Sequence, residues 1–387
     1  MSCHSRAGYR SAARLAAAVT GVDRRQVEKL LHGLRREASG VPLPEPSQEQ
    51  LDEWYAESLV ALDSTDLTPA RKDALAEALR EARTEPTTGR DFYVQQYLAD
   101  RVRQQQIVDH APGLVTLDAP GSQAAEYVRG EDGRPAKVWY ASFGSNLYFD
   151  RMNVYIQGGS PNNGRTQYVG ARDKTPIEDS VPAGLPGTVY YAGESSVWTG
   201  GPAFLDTSAA GRSLGRAHLI TAEQFDDTVY QESNSGDAPD GSKVDLNQVI
   251  ADGKHQGKGI YGTLVHVGDY QGALVVTFTS PVTVGQAMSG ELVYSTDNKV
   301  EKASDRVAAR EQQQKDLARE TLQAKTEGRE PKKVQQDWPI YGNQPSESYR
   351  AMITGGLQET FGLPKKACEA YFKGSMGWRN PPPAKPE

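Results

Sequence analysis

Two sequence patterns divide this chain, and the change between them near residue 137 limits the folds available to it. Residues 1–110 are rich in alanine, leucine, arginine and glutamate at helical spacing, as in "DRRQVEKLLHGLRREA". From residue 137 onward, short β-branched and aromatic runs such as "KVWYASFG" and "ALVVTFTSPVTV" are bounded by Gly or Pro. The sequence therefore predicts an α+β protein, in which an all-α region precedes a strand-rich domain with flanking helices.

The boundaries follow from local composition. Gly, Pro and Asp become frequent in residues 111–136, which we interpret as a linker between the helical region 1–110 and a domain at 137–380. Within that domain, residues 297–333 hold ten Lys or Arg, eight Asp or Glu and few large apolar side chains. This composition predicts an exposed, charged helical insertion. Residues 381–387 are predicted to be a terminal tail.

Overall composition argues against several functional classes. The 387 residues carry 43 Lys and Arg against 50 Asp and Glu, a net charge of −7, which does not favour a general binder of nucleic acid or membrane surfaces. The two cysteines, Cys3 and Cys368, form no CxxC motif, and the six histidines are scattered, so the sequence predicts no metal site and no cofactor. No apolar run approaches the roughly 18 residues of a membrane span. We therefore expect a cytoplasmic protein without a membrane partner.

The chemistry is concentrated in the stretch "VWYASFGSNLYFD", where a predicted strand runs into Gly144, Ser145 and Asn146 before a predicted helix. Glycine permits a tight turn, and the backbone N–H groups at a helix start attract an anion. These residues predict a cradle for a carboxylate or a phosphate. From the same residues alone, a simple polar helix cap is the alternative.

Several blocks of the sequence resemble the gamma-glutamylcyclotransferase-like superfamily, in which an aromatic-GSN-Leu/Met motif follows the first strand. Phe143 to Leu147, "FGSNL", matches that motif. Further blocks that resemble the family follow in the order "VWTGGPAFLD", "TAEQFDDTVYQES", "GIYGTLVHVG" and "PSESYRAMITGGLQETFGL". The resemblance covers about residues 137–296 and 338–375. It is to a bacterial branch, some of whose relatives carry a histone deacetylase label.

The resemblance implies a small mixed β-barrel with helices around it and a metal-independent reaction on a small γ-glutamyl substrate. The α-amine of a γ-glutamyl group would attack its own γ-carbonyl, releasing the amine partner and 5-oxoproline. The implied catalytic residue is Glu232, which would move the proton between the two amines. The implied substrate-binding residues are Phe143, Gly144, Ser145, Asn146, Leu147, Gly200, Gly201 and Tyr261.

Some features leave other interpretations open. The family usually has tyrosine where this chain has Phe143, so either Tyr140, Tyr148 or Tyr261 supplies the missing hydroxyl, or the substrate differs. Glu232 is alternatively an ordinary exposed glutamate at a helix end. Trp198, like Tyr261, is alternatively a core aromatic residue.

The histidines do not support zinc-dependent deacetylase chemistry. That chemistry needs a set of Asp and His ligands, and no two of the six histidines stand at ligand spacing. His218 and His266 lie on predicted strands, and we interpret them as packed or surface histidines.

The N-terminal stretch "AAAVTGVDRRQVEKLLHGL", residues 16–34, resembles a helix-turn-helix. Residues 1–40 carry eight Lys or Arg and three Asp or Glu, and in a DNA reader Arg24, Arg25 and Lys29 would face the groove and the phosphates. A plain helical hairpin is the preferred interpretation of this short motif. The competing hypothesis for the whole chain is a non-catalytic binding or regulatory module that keeps the fold and uses the helical N-terminus to recruit a partner or DNA.

Overall fold

A computed structural model describes most of the chain from residue 100 onward. The described ranges are 100–101, 103–160, 167–195, 198–209, 211–233, 238–257, 259–332, 334 and 336–378, with isolated residues between 56 and 80. The possible helix-turn-helix at 16–34 and the tail at 381–387 lie outside the described residues, as does nearly all of the predicted all-α region.

A mixed sheet of six strands forms the centre of the fold. Its strands stand in the order β2-β5-β1-β8-β7-β6. The central strand β1 pairs antiparallel with β5 and parallel with β8, and the other pairs are antiparallel. The strands are β1 (Lys137–Ser142), β2 (Asp179–Pro186), β5 (Arg212–Thr221), β6 (Lys254–Gln256), β7 (Thr263–Tyr270) and β8 (Ala273–Thr279).

The sheet is open, so the closed barrel expected from the family resemblance is wrong for the described residues, although the expected mixture of helices and strands is present. Strands β2 and β6 form the two edges and do not pair with each other. Pro182 and Pro186 lie on the edge strand β2, where their missing N–H groups cost no ladder bond. Strand β6 has only three residues, which leaves little edge for closure.

Two smaller sheets and a set of helices complete the fold. Strands β3 (Thr188–Tyr191) and β4 (Ala203–Asp206) form a hairpin, while β9 (Leu292–Tyr294), β10 (Val300–Lys302) and β11 (Trp338–Ile340) form a three-stranded sheet. The helices are α1 (Phe149–Gln157), α2 (Ala222–Ser233), α3 (Leu246–Asp252), α4 (Val284–Ser289), α5 (Val307–Glu327), α6 (Glu347–Phe361) and α7 (Lys365–Lys373).

Both faces of the central sheet are buried, as the alternation along β1 shows. Trp139 and Ala141 belong to the hydrophobic cluster that includes residues of α6 and α7. Val138 and Tyr140 belong to the cluster that includes residues of α1 and α2. Successive side chains of a strand point to opposite faces, so the sheet is covered by helices on both sides. The end of β1 therefore emerges between these two layers. The turn formed by Gly144, Ser145 and Asn146, called the GSN turn below, lies there.

Residues 111–136, which were expected to link two domains, pack against the sheet. Val115 bridges to Ala183 of β2, and Asp118 bridges to Asp269 of β7. A helix over residues 103–109 precedes them, and the amide of its buried Gln104 donates to the carbonyl oxygen of Tyr371, 2.8 Å away. The residues from 103 to 136 are thus part of the same packed structure as the strands.

The charged insertion contains a long exposed helix, α5, which is held at its N-terminal half. The Asp337 carboxylate accepts hydrogen bonds from Nε of Arg306 at 2.9 Å and from the Gln313 amide at 2.9 Å. Most other side chains of α5 are exposed, and Ala324 is its buried residue. In the part of the chain that the structure describes, no helix is both long and apolar enough to span a bilayer.

Candidate active site

The GSN turn is clamped between the sheet and α6. After β1 ends at Ser142, the backbone N–H of Leu147 donates to the carbonyl oxygen of Gly144 at 3.1 Å and closes a single 3-10 turn. Gly356 of α6 lies directly against this turn, because a Cβ atom at Gly356 would stand 2.6 Å from the Leu147 Cβ and from the Tyr148 nitrogen. The close approach of α6 fixes the position of the turn.

Asn146 of this turn and Glu232 at the end of α2 are hydrogen-bonded. Nδ2 of Asn146 donates to Oε1 of Glu232 at 2.9 Å and to the Tyr140 hydroxyl oxygen at 3.1 Å. Asn146 is buried and Glu232 is half-buried. Oδ1 of Asn146 is buried without a hydrogen-bond partner among the described residues. An acceptor left open in this way is free to receive an N–H donor from a ligand.

Five tyrosines stand close enough to Glu232 for its charge to act on their hydroxyl groups. Burial raises the pKa of each of them above the ordinary value, to about 12 for Tyr349, so all five phenols are neutral near pH 7. Neutral phenols are hydrogen-bond donors. The five phenols belong to Tyr140, Tyr155, Tyr168, Tyr261 and Tyr349, and the proton of Tyr261 is donated to the carbonyl oxygen of Ala203.

The hydroxyl of Tyr349, on α6, lies at the GSN turn. Its oxygen accepts a hydrogen bond from the backbone N–H of Ala203 at 3.3 Å and another from the backbone of Ser145. A Cβ atom at Gly144 would lie 2.9 Å from this oxygen, so a larger residue there would push the Tyr349 hydroxyl away from the turn. The Ser145 N–H, which the sequence predicted to face an anion, is thus engaged by Tyr349.

Arg151 is a buried cation on α1 at the same site. Its guanidinium carbon lies 4.3 Å from the ring centre of Tyr155 and 4.6 Å from that of Tyr168. Nη2 donates to the hydroxyl of Tyr168 at 2.9 Å and also to that of Tyr155. Nε and Nη1 have no hydrogen-bond partner among the residues the structure describes. The guanidinium is held by aromatic rings and phenol oxygens.

His218 supports the turn from β5. Its Nε2 lies 3.1 Å from the carbonyl oxygen of Asn146, and its Nδ1 lies 2.8 Å from Oγ of Ser180 on β2. A carbonyl oxygen only accepts, so Nε2 carries the proton and Nδ1 accepts from the serine hydroxyl. Burial lowers the pKa of His218 to about 3, which keeps the ring neutral. His218 was expected to be a packed or surface histidine, and it is fully buried against the candidate site.

The remaining predicted substrate-binding residues have structural contacts. Phe143 and Leu147 are buried in the hydrophobic core. Gly200 and Gly201 pack against the backbone of residues 343–346, where a Cβ atom on either glycine would lie within 2.5 Å of a backbone atom. Tyr261 is half-buried, and its hydroxyl donates to the carbonyl oxygen of Ala203 at 3.2 Å.

Sequence reasoning missed four residues at this site: Arg151, Tyr155, His218 and Tyr349. Arg151 and Tyr155 stand four apart on α1, a spacing that places both on one helix face. Once the helix after the GSN turn is predicted, this spacing indicates that Arg151 and Tyr155 lie together beside the turn. Tyr349 lies inside the block "PSESYRAMITGGLQETFGL", but nothing in that block shows that its hydroxyl returns to the turn at 144–146.

No group of three or more His, Cys, Asp or Glu side chains that could hold a metal ion is present in the part of the chain that the structure describes. His266 is buried against Asp269, its Nε2 lying 2.7 Å from Oδ1 of that residue. Both lie on β7.

Comparisons with known proteins give distant matches. No protein-family model matches the sequence. Histone deacetylase 5 of Arabidopsis thaliana is 33% identical over 168 residues, which is 40% of this chain and 25% of that protein. The chain thus matches about a quarter of the length of this relative.

Two solved structures are similar over 65% of this chain. One is a gamma-glutamyl cyclotransferase, 12% identical, with 92% of its own chain covered. The other is an uncharacterized protein from Homo sapiens, 13% identical, with 93% covered. The TM-score is 0.27 in both cases.

Proposed function

We propose that this protein is a gamma-glutamylcyclotransferase-like enzyme that releases 5-oxoproline from a γ-glutamyl amide or amine. The observation that carries the proposal is the hydrogen bond of 2.9 Å between Asn146 of the GSN turn and the half-buried Glu232 carboxylate. The proposal also rests on the sequence blocks that resemble the cyclotransferase-like superfamily.

Glu232 is the proposed proton carrier. The substrate α-ammonium must lose a proton before it can attack, and a carboxylate accepts that proton. Oδ1 of Asn146 has no partner among the described residues, so it can accept an N–H from the same amine. The amine would then be held between an amide oxygen and a carboxylate, with its lone pair free to attack.

The bonds balance without a co-reactant. The amine nitrogen forms a C–N bond to the γ-carbonyl carbon, and a tetrahedral intermediate closes the five-membered ring. The C–N bond to the leaving amine then breaks as Glu232 returns its proton to that nitrogen, and the second proton of the attacking nitrogen passes through Glu232 to the released amine, which departs as an ammonium ion. Holding the γ-glutamyl chain folded back makes this attack effectively unimolecular.

Tyr349 is the proposed donor to the substrate α-carboxylate or to the developing oxyanion. Its oxygen accepts from the backbone of Ser145 and Ala203, so its own proton is directed elsewhere. This hydroxyl takes the role that the Ser145 N–H was predicted to play. It also supplies a phenol at a turn where the family's usual tyrosine is replaced by Phe143.

The contact between the Tyr349 hydroxyl and Gly144 favours a second candidate function, a non-catalytic binding module with this fold. The Tyr349 hydroxyl occupies the space in front of Gly144, which leaves less room for a substrate carboxylate. In this alternative a ligand binds beside Glu232 and Asn146 and is not transformed.

The test is incubation with a panel of γ-glutamyl amines and γ-glutamyl peptides, with 5-oxoproline measured by mass spectrometry. The matched control compound is the α-N-acetylated form of each substrate, which lacks the nucleophile and yields no product if the reaction is the proposed one. Saturable binding of a panel member without product release would favour the binding module. Product from the acetylated compounds would contradict the intramolecular mechanism.

A further inference from the structure

Four consecutive backbone carbonyl oxygens at the GSN turn each have a hydrogen-bond donor. Those of Gly144 and Ser145 accept from the backbone N–H groups of Leu147 and Tyr148, each at 3.1 Å. The next two, of Asn146 and Leu147, accept from side chains instead. Because a buried carbonyl without a donor is costly, the side chains that supply these two bonds help to set the conformation of the turn.

The two side-chain donors stand two residues apart on β5. Nε2 of His218 lies 3.1 Å from the carbonyl oxygen of Asn146, and Nη1 of Arg216 donates to the carbonyl oxygen of Leu147 at 3.2 Å. Residues two apart on a strand share one face. Both donors therefore reach the turn from one face of β5, the antiparallel partner of β1.

Glu359 on α6 holds Arg216 against the end of the turn. Its Oε1 accepts from Nη1 of Arg216 at 2.7 Å, and its Oε2 accepts from the backbone N–H of Phe149 at 3.2 Å. Phe149 begins α1, whose N-cap residue Tyr148 provides no side-chain cap. A carboxylate beside a helix N-terminus is favourable, so Glu359 caps α1 from another helix. The pair of Arg216 and Glu359 thus joins β5, α6 and the start of α1.

This ion pair differs from another one on the same strand. The Arg216 side chain is 13% exposed and that of Glu359 is 37% exposed. Arg212 pairs with Asp109 at 2.9 Å, but both of those side chains are more open to water, at 52% and 44%. An exposed pair is screened and contributes little, whereas a partly buried one is screened less. Arg212 therefore serves as the comparison for Arg216.

We propose that Arg216, braced by Glu359, is a positioning residue that fixes the end of the GSN turn and thereby directs the Asn146 side chain at Glu232. Arg216 acts through the turn and not on the substrate. With the carbonyl groups of Asn146 and Leu147 held, the side-chain amide is directed to the Glu232 carboxylate, 2.9 Å away. This inference rests on the proposed function for its catalytic meaning, because a displacement of about 1 Å in a reacting site can cost about 10²-fold in rate.

The experiment measures, by NMR on protein labelled with nitrogen-15 at asparagine, how fast the side-chain NH₂ group of Asn146 exchanges with water. Its signal is assigned from its absence in Asn146→Asp. Arg216→Met keeps an unbranched stem and removes the donors. Arg216→Lys keeps a cation, and since the single nitrogen Nη1 makes both contacts, an ammonium group can replace it. Arg212→Met is the matched control.

We expect the Asn146 amide of Arg216→Met to exchange about tenfold faster than in the wild type, well below the melting temperature, as for loss of one charge-assisted hydrogen bond. Arg216→Lys and Arg212→Met should stay near the wild-type rate. Unchanged exchange in Arg216→Met would overturn the inference. So would equal acceleration in Arg216→Met and Arg212→Met, or in Arg216→Met and Arg216→Lys.

Glu359→Ala is a second variant at an exposed position, and it decides if Arg216→Met does not fold. It should also accelerate exchange of the Asn146 amide, and an unchanged rate there would overturn the inference. Because exchange is read on the free protein, the result on Arg216 stands even if no γ-glutamyl compound is turned over. With an active enzyme, Arg216→Met should lower kcat with little change in KM, and a rise in KM at constant kcat would contradict the catalytic meaning.

Discussion

The side-chain amide of Asn146 donates to the Glu232 carboxylate across 2.9 Å and joins the end of the central strand to the end of a helix 86 residues later in the chain. The same nitrogen donates to Tyr140 at 3.1 Å. With both hydrogens of the amide in use, its orientation is fixed and its oxygen is left open. This arrangement places a proton acceptor and an N–H acceptor side by side, as the proposed reaction needs.

Tyr349→Phe should weaken substrate binding more than the chemical step. The variant keeps the ring, whose centre lies 5.0 Å from that of Trp198, but loses the oxygen that accepts from Ala203 and Ser145. If the hydroxyl holds the substrate carboxylate equally in ground and transition states, KM should rise about tenfold with little change in kcat. Steady-state kinetics test this, with Tyr148→Phe as the control. A fall in kcat at constant KM would instead assign Tyr349 to the oxyanion.

Gly356→Ala should destabilise the protein and disturb the site together. The added Cβ would lie 2.6 Å from the Tyr148 nitrogen and 2.7 Å from the Leu147 carbonyl carbon, so the helix must move away from the turn. Overpacking of this kind costs roughly 1–3 kcal/mol. Gly355→Ala is the matched control, because its Cβ would meet the Tyr148 ring at an ordinary 3.5 Å and alanine is the better helix former.

Urea unfolding of the two glycine variants gives the comparison. We expect Gly356→Ala to lose free energy of unfolding and Gly355→Ala to be neutral or more stable. Equal effects at the two positions would contradict the close packing of α6 on the turn.

His218→Gln should change how stability depends on pH. Burial lowers the pKa of His218 from 6.5 to about 3. Between these values the unfolded chain binds a proton that the folded protein does not, so the wild type loses stability as pH falls, by about 1.4 kcal/mol per unit well below pH 6.5. Glutamine keeps an N–H donor for the Asn146 carbonyl but does not titrate. The free energy of unfolding at pH 7, 6 and 5 should fall less steeply in the variant, and parallel curves would refute the buried neutral ring.

A fragment 132–387 should be less stable than a fragment 100–387 by several kcal/mol. The shorter fragment lacks the buried Val108 and Tyr127 and the Gln104 side chain, which donates to Ser375 at 2.8 Å. Thermal unfolding of the two fragments makes the comparison. Equal melting temperatures would show that residues 100–131 contribute little.

The strands that sequence reasoning identified have a strong local signal, and those it missed do not. The runs "KVWYASFG", "GRAHLIT" and "ALVVTFTSPVTV" correspond to β1, β5 and β8. Strand β2, "DSVPAGLP", was missed because proline and glycine are typical of turns, whereas an edge strand tolerates them. Whether a sheet closes depends on pairing between distant strands, which no local pattern records, and the barrel expectation was wrong for that reason.

The residues of the candidate site that belong to local sequence patterns were predictable, and those placed by the packing of distant elements were not. Gly144, Ser145 and Asn146 form a local motif, and Glu232 ends a predicted helix. Tyr349 and His218 reach the turn from α6 and β5, and their positions depend on how those elements pack. Residues 16–34 lie outside the described residues, so the helix-turn-helix there remains a prediction.

Glu232→Gln tests whether Glu232 moves the proton in the proposed intramolecular attack. Glutamine keeps the shape and polarity of the side chain but accepts no proton. On a γ-glutamyl compound that the wild type cyclises, the variant should bind with a similar Kd by calorimetry while 5-oxoproline release falls by about 10²–10⁴-fold. Release at a rate near that of the wild type would show that Glu232 does not carry the proton.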